Sequence, residues 1–345
     1  MAAATALTCG ALASAATPSP RWVLKLAVQY LPPSSNHSQY TTVLVAGRTI
    51  WFFGGSSFTG HAIRGVPEVE RRTNGRWHSS TLPTGLHSWI TGASAVAPGD
   101  IWAATYLGGK VLRWNGVTWS VEPKGGWNPR ARFTSIVALG PRDVWLFGSR
   151  GGNHPGAGTW HLSGTKWTET KGMAGHITRA SATSPRDMWA IGDIGGTNNA
   201  LLRFTDNRWL HEEPSSLAGF TYSYVLVLGP SNVWVSGTVA DTPEVAHYNG
   251  QGWTTIVMPT LVPAMGMCRD GRGGLWVIAN QGFGPSFVLD LSGKGVWTSS
   301  PVSSTSADEV FACARLPGRP AIWGAGRAAA PAGTAAAAYG FGKVR

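Results

Sequence analysis

The sequence predicts an all-β fold, a seven-bladed β-propeller of four-stranded blades. Three observations predict it: a tryptophan that returns seven times, a turn signal before four of these copies, and a second tryptophan in six of the modules. The composition agrees, because 46 glycines and 18 tryptophans with only 13% charged residues suit short strands joined by tight turns.

The first recurrent tryptophan marks the second strand of each blade. Its copies lie 42 to 51 residues apart, which is the length of one propeller blade. Turns such as Pro141-Arg142-Asp143 precede four of them and join a first strand to a second, because proline fixes φ and Asp bonds its own downstream backbone. A small residue, mostly glycine, stands three positions later, which indicates a close backbone approach. The seven copies are Trp51, Trp102, Trp145, Trp189, Trp234, Trp276 and Trp323.

The second recurrent tryptophan marks the fourth strand. It follows a turn such as Asn115-Gly116, and Asn-Gly between two apolar runs is a strong hairpin signal. This hairpin joins the third strand of a blade to the fourth. The six copies are Trp77, Trp119, Trp167, Trp209, Trp253 and Trp297.

The seventh module lacks its fourth strand. It has Trp323 and a third strand over residues 335–341, but no later tryptophan. The segment Arg21-Trp22-Val23-Leu24 has the pattern of the missing strand. We therefore expect the N-terminal strand to close the last blade, which leaves no sheet edge exposed.

Residues 1–20 are predicted to be a signal or leader segment, and residues 21–345 a single propeller domain. The first segment is apolar and ends in small residues, with Ala13-Ser14-Ala15 as the candidate cleavage site. A charged n-region is missing, so an Ala-rich leader is the alternative. We expect an exported protein, secreted or at the cell surface, with no bilayer-spanning segment.

The net charge of +11 arises from 28 Lys and Arg against 17 Asp and Glu. The basic residues are scattered, whereas nucleic-acid binding requires a dense basic stripe with interleaved aromatics. We therefore predict no nucleic-acid partner. The nine histidines are dispersed and no Gly-rich phosphate loop or nucleophile elbow is present, so no metal and no cofactor are predicted. We expect a monomer.

The module around Asp143-Val144-Trp145 and Gly148 resembles the Trp-rich repeats, of Asp-Val-Trp-x-x-Gly type, in secreted β-propeller proteins of high-GC bacteria. More distantly it resembles kelch and Asp-box propellers, and the resemblance covers residues 21–345. The sequence lacks the Ser-x-Asp half of the Asp-box, and only Gly54-Gly55 matches the kelch doublet. The resemblance implies the architecture and carries no activity over to particular residues.

The candidate binding residues lie in the loops from second to third strands and from fourth to first strands. In a propeller these loops share one face with the ring opening. Aromatic, amide and guanidinium groups there suit stacking on sugar rings and hydrogen bonds to hydroxyls or carboxylates. The loop around Asn198 and Asn199 belongs to the same set. The candidates are Trp89, Tyr106, Arg132, Arg150, His154, His176, Arg179, Asp193, Tyr222, Tyr224, Asn280 and Arg327.

Two function classes follow from this face. The first is a non-enzymatic propeller that binds a glycan, a cell-wall polymer or a protein, and we favour it. The second is a glycan-active hydrolase or lyase at the ring opening. A sialidase would require three arginines from this face to bind the carboxylate of its substrate. A glycosidase would require two carboxylates that face each other across the bond to be broken, and the candidates are Asp193, Asp241, Asp308 and Glu309. A scaffold for another protein is a third interpretation.

Cys268 and Cys313 occupy comparable places in the first strands of neighbouring modules. In an exported protein they would form a disulfide. Alternatively they are two small buried apolar side chains. We favour the second interpretation, because the inner strands of neighbouring blades diverge.

Overall fold

A computed structural model describes residues 22–30, 37–57, 65–148, 158–170, 176–194, 196–280, 286–301, 308–318, 322–331 and 333–343. Within these ranges the regular structure is β-strand, apart from one short 3-10 turn at Ser215–Leu217. The all-β prediction is therefore confirmed.

The strands follow one another along the chain in hairpins. The first five are β1 (Trp22–Tyr30), β2 (His37–Ala46), β3 (Thr49–Ser57), β4 (Val66–Thr73) and β5 (Arg76–Ser79). The next twelve are β6 (Ile90–Ala97), β7 (Asp100–Thr105), β8 (Val111–Trp114), β9 (Trp119–Val121), β10 (Phe133–Gly140), β11 (Asp143–Gly148), β12 (Thr159–Ser163), β13 (Lys166–Glu169), β14 (Ile177–Ala182), β15 (Met188–Ile194), β16 (Thr197–Thr205) and β17 (Arg208–Glu212). The last eleven are β18 (Phe220–Gly229), β19 (Asn232–Val239), β20 (Thr242–Tyr248), β21 (Trp253–Val257), β22 (Ala264–Arg269), β23 (Leu275–Ala279), β24 (Phe287–Leu291), β25 (Trp297–Pro301), β26 (Glu309–Arg315), β27 (Ile322–Ala330) and β28 (Gly333–Lys343).

Five four-stranded antiparallel sheets form the first to fifth blades, which are β6–β9, β10–β13, β14–β17, β18–β21 and β22–β25. The other eight strands form one sheet with two halves, an N-terminal half of β2–β5 and a C-terminal half of β26–β28 with β1. The first strands contact one another in a closed cycle: β2, β6, β10, β14, β18, β22, β26 and again β2. This arrangement is that of a β-propeller with four-stranded blades.

The prediction of seven separate blades is wrong. Five blades are separate, whereas the strands assigned to the first and last modules form the continuous eight-stranded sheet. The physical reason is one parallel pair that joins the halves, between His37 of β2 and Thr334 of β28. Their side chains also meet, with His37 Nδ1 3.4 Å from Thr334 Oγ1.

The N-terminal strand completes the C-terminal half, as predicted. β1 pairs antiparallel with β28 from Trp22 opposite Lys343 to Tyr30 opposite Ala336, with a register shift between Leu26 and Val28. β28 therefore lies between β27 and β1, and its backbone groups find partners on both sides.

The second-strand tryptophans build the core between neighbouring sheets. All seven are buried, with at most 8% of their surface exposed. Trp189 packs among Leu217, Phe220 and Val235 of the fourth blade. Each blade thus covers the apolar face of the one before it, which explains why the module retains this residue.

The small residue three positions after the tryptophan is required by close packing. A Cβ on Gly192 would overlap the carbonyl oxygen of His176, and a Cβ on Gly326 would overlap that of Glu309. The first carbonyl directly precedes β14, and the second belongs to the first residue of β26, so in both cases the obstruction lies at the start of the neighbouring first strand. The interpretation of this position as a close backbone approach is therefore confirmed.

Threonine hydroxyls connect the first strands of successive sheets. Thr41, Thr91 and Thr134 each stand at a register shift of their strand. Each donates a hydrogen bond to a carbonyl of the next first strand: Thr41 to Ile90 (2.6 Å), Thr91 to Phe133 (2.8 Å) and Thr134 to Ile177. These bonds join the N-terminal half to the first three blades.

A disulfide performs this linking role elsewhere in the ring. Ser94 and Ser181, each paired with the tryptophan of its blade, accept hydrogen bonds from the N–H groups of Ala138 and Val227 in the next first strand. Cys268 occupies the same register opposite Trp276 and is bonded to Cys313, with their Cα atoms 5.8 Å apart. The interpretation of these cysteines as unpaired side chains is therefore wrong, because the first strands remain close at this register.

One buried carboxyl group predicts a pH dependence of stability. Glu68 of β4 accepts a 2.8 Å hydrogen bond from Ser38, and burial raises its pKa from 4.5 to about 6. A raised pKa in the folded state gives stability that is fully present below the unfolded pKa and is lost as pH rises through about 6. Between pH 4.5 and pH 7 this loss amounts to about 1.5 kcal/mol in the wild type, and we expect Glu68→Gln to abolish it.

Urea unfolding at both pH values measures this effect. Asp206→Asn, which removes an exposed carboxylate from the turn between β16 and β17, is the matched control and should keep the pH dependence of the wild type. An identical pH dependence in wild type and Glu68→Gln would contradict the prediction.

Candidate functional site

A cleft of about 450 Å³ lies on the predicted loop face, between the third and fourth blades. Its walls are the start of β16, the end of β17 and the connection from Glu213 to Gly219 that leads into β18. Leu217 and Phe220 supply apolar surface, while Asn198 and Ser215 supply polar groups. This size and mixture fall within the range of pockets that hold small ligands.

Asn199 holds the backbone at the base of the cleft in place through hydrogen bonds. Its backbone has φ of 55°, a conformation that asparagine tolerates better than most residues. Its side-chain amide donates to the carbonyl of Tyr222 (2.8 Å) and accepts from the Tyr222 N–H (2.5 Å), while its own N–H donates to Asp193 Oδ1 (3.0 Å). Two predicted residues, Asp193 and Tyr222, are therefore brought together through a third.

The cleft carries negative charge in an otherwise basic protein. Glu212 and Glu213 line it, and Glu213 Oε1 lies 3.1 Å from Nδ1 of His211. The Glu213 side chain is 75% exposed, so it is free to meet a ligand from solvent. These three residues were not predicted from the sequence. The pattern that could have indicated them is the run His211-Glu212-Glu213, which places two of the 17 acidic residues side by side.

Tyr222 contributes a neutral phenol to the cleft. Burial raises its pKa to about 12, and the nearby carboxylate of Glu213 adds to the effect. Its ring also lies 5.0 Å from that of Phe220. The phenol therefore stays protonated at neutral pH.

Two predicted arginines stack on predicted tyrosines. The guanidinium of Arg179 lies 4.7 Å from the centre of the Tyr224 ring, which links the first strands of the third and fourth blades. Arg132 lies 5.7 Å from the Tyr106 ring, between the first and second blades. Cation–π contact at these distances holds each guanidinium in place.

The structure places other predicted residues in structural roles. Trp89 is 3% exposed and its indole N–H donates to the carbonyl of Ser56 (3.1 Å). Asn280 is 1% exposed, and Arg327 donates a 2.7 Å bond to Glu309. The backbone carbonyl of His176 accepts a bond from Asp193. Arg150 and His154 lie outside the described residues.

The described residues contain no group of three or more His, Cys, Asp or Glu placed to hold a metal ion. Within the same ranges, no helix has the length and apolar character to cross a membrane.

Comparison with solved structures identifies the fold. YCF48 bound to a D1 peptide matches with a TM-score of 0.64 and 14% identity, over 92% of this chain and 97% of that one. An inactive virginiamycin B lyase from Staphylococcus aureus with quinupristin matches with a TM-score of 0.67 and 13% identity, over 94% of this chain and 100% of that one. The Swd1 β-propeller domain of Myceliophteria thermophila matches with a TM-score of 0.62 and 9% identity, over 93% and 100%.

The chain is a β-propeller. At these identities the likeness shows the fold alone. No family model matches the sequence, and no curated protein matches it. The resemblance to Trp-rich, kelch and Asp-box repeats therefore stays a prediction.

Proposed function

We propose that this protein is a secreted, non-enzymatic binding propeller that takes a glycan or a peptide segment in the cleft between the third and fourth blades. The observation that carries the proposal is the cleft itself, of about 450 Å³, where a phenol, an amide and two carboxylates surround a backbone fixed by Asn199.

The arrangement of the carboxylates favours binding over hydrolysis. Glu212 and Glu213 are neighbours on one strand end, whereas a glycosidase holds two carboxyl groups on opposite sides of the bond it breaks. Their oxygens accept hydrogen bonds, so they suit ligands rich in donors, such as sugar hydroxyls or the ammonium groups of a peptide. Support also comes from YCF48, a structural neighbour bound to a peptide.

The test is a binding screen of the full chain against glycan and peptide arrays. We expect Asn198→Ala with Glu213→Gln to weaken the best ligand at least tenfold, or about 1.4 kcal/mol, because a charge-assisted hydrogen bond and an amide contact are lost. Asp206→Asn, which removes an exposed carboxylate from the β16–β17 turn outside the cleft lining, is the matched control and should retain full affinity.

Full affinity in the double variant would contradict this site. Chemical conversion of a bound ligand, detected by mass spectrometry, would instead support the hydrolase or lyase alternative.

A further inference from the structure

A second pocket lies at the opposite ends of the strands from the loop-face cleft. It has a volume of about 640 Å³ and sits where the two halves of the eight-stranded sheet meet. Arg48 of the β2–β3 turn, Arg72 near the end of β4, and Asn74 and Gly75 of the β4–β5 turn line one side. Leu316 and Pro317, which follow β26, line the other.

Two guanidinium groups line this pocket without a carboxylate partner among the described residues. Three other arginines of the described residues pair with carboxylates, two of them at this end of the strands: Arg113 lies 2.9 Å from Asp100, and Arg272 lies 3.1 Å from Asp290. Arg48 and Arg72 have no such contact in the described ranges. Their positive charges are therefore available to an anion that enters the pocket.

Arg72 packs against an aromatic ring beside the pocket. Its guanidinium lies 5.0 Å from the centre of the Trp323 ring, a cation–π contact that holds the plane of the group. A Cβ atom at position 75 would lie 3.8 Å from Nη2 of Arg72. Because residue 75 is glycine, no side chain occupies the space beside this nitrogen. The Asn74 amide supplies further donors beside it.

We propose that this pocket binds a phosphoryl group carried by a small organic molecule. Two guanidinium groups match the double negative charge of a phosphomonoester, and the planar fork of arginine pairs with two phosphate oxygens at once. The pocket volume exceeds the needs of a free anion and suits a sugar-sized carrier. This site is separate from the cleft proposed above and does not depend on it.

Titration calorimetry of the full chain with glucose 6-phosphate tests this proposal. We expect Arg48→Gln with Arg72→Gln to weaken binding at least tenfold. The matched control is Arg186→Gln with Arg208→Gln, which removes the same charge from turns of the third blade on the same face and should change the affinity less than twofold. Arg72→Lys keeps the positive charge but lacks the planar guanidinium that pairs with two phosphate oxygens, and it should give an intermediate loss of affinity.

Because Arg72 also packs on Trp323, the single variant Arg48→Gln is measured beside the double variant, with a melting curve for each. A loss with an unchanged melting temperature supports the site. Equal losses in the paired and control variants would overturn it, since general surface charge would then account for binding. Tighter binding of glucuronate than of glucose 6-phosphate, or no binding to wild type, would also overturn it.

Discussion

Replacing Trp189 by alanine is expected to lower the free energy of unfolding by about 3–5 kcal/mol. The indole is 1% exposed and lies between the third and fourth blades. The ring of Trp253 meets it edge-on at 5.5 Å, and the guanidinium of Arg203 lies 5.1 Å from its centre. The variant loses both the buried apolar area and these contacts, and it leaves a cavity that rigid sheets cannot fill.

Guanidinium unfolding followed by circular dichroism measures this loss. Val117→Ala is the control, because Val117 is 79% exposed on a turn and its truncation should change stability by no more than about 0.5 kcal/mol. Similar midpoints for Trp189→Ala and wild type would show that the indole does not support the blade interface.

Removing the disulfide between Cys268 and Cys313 is expected to cost about 4 kcal/mol of stability. The bond closes a loop with a sequence separation of 45 residues, and without it the unfolded chain regains that conformational freedom. Cys268→Ser should lose as much stability as Cys313→Ser, and the double variant no more than either, because all three lack the same bond.

Unfolding of the wild type with and without a reducing agent measures the same quantity independently. Reduction should lower the stability of the wild type and leave the double variant unchanged. A wild type that is insensitive to reduction would contradict the expected contribution of the bond.

The repeat made the fold predictable from sequence. Trp102 and Trp145 mark equivalent buried positions in successive blades, so their spacing reports the period of the structure. The pairing of β1 with the last module followed from the strand that this module lacked. The joining of two halves into one sheet was not predictable, because it depends on one pair, His37 with Thr334, that no local pattern marks.

The candidate site was predictable only in part. Tyr222 and Asp193 were identified from their loop positions; Tyr222 lines the cleft, and Asp193 accepts a hydrogen bond from the backbone of Asn199, which also lines it. Trp89 had an equally suitable position, yet its indole packs where Gly55 and Gly65 lack side chains. The space that holds the indole is created by glycines distant from Trp89 in sequence. The position of an aromatic residue in a loop therefore does not show whether its side chain is buried. Glu213 was missed because it directly follows a repeated strand.

The pairing of β1 with β28 also determines the order in which the molecule is assembled. A ribosome makes β1 before any other described strand, but its partner β28 comes last, with Trp22 opposite Lys343. Until then β1 has no strand to pair with among the described residues, while the strands of each separate blade pair only with strands close to them along the chain. Contacts between such distant residues slow folding because a long loop must be closed. The ring therefore closes late in biosynthesis, because the earliest described strand waits for the latest one to be made.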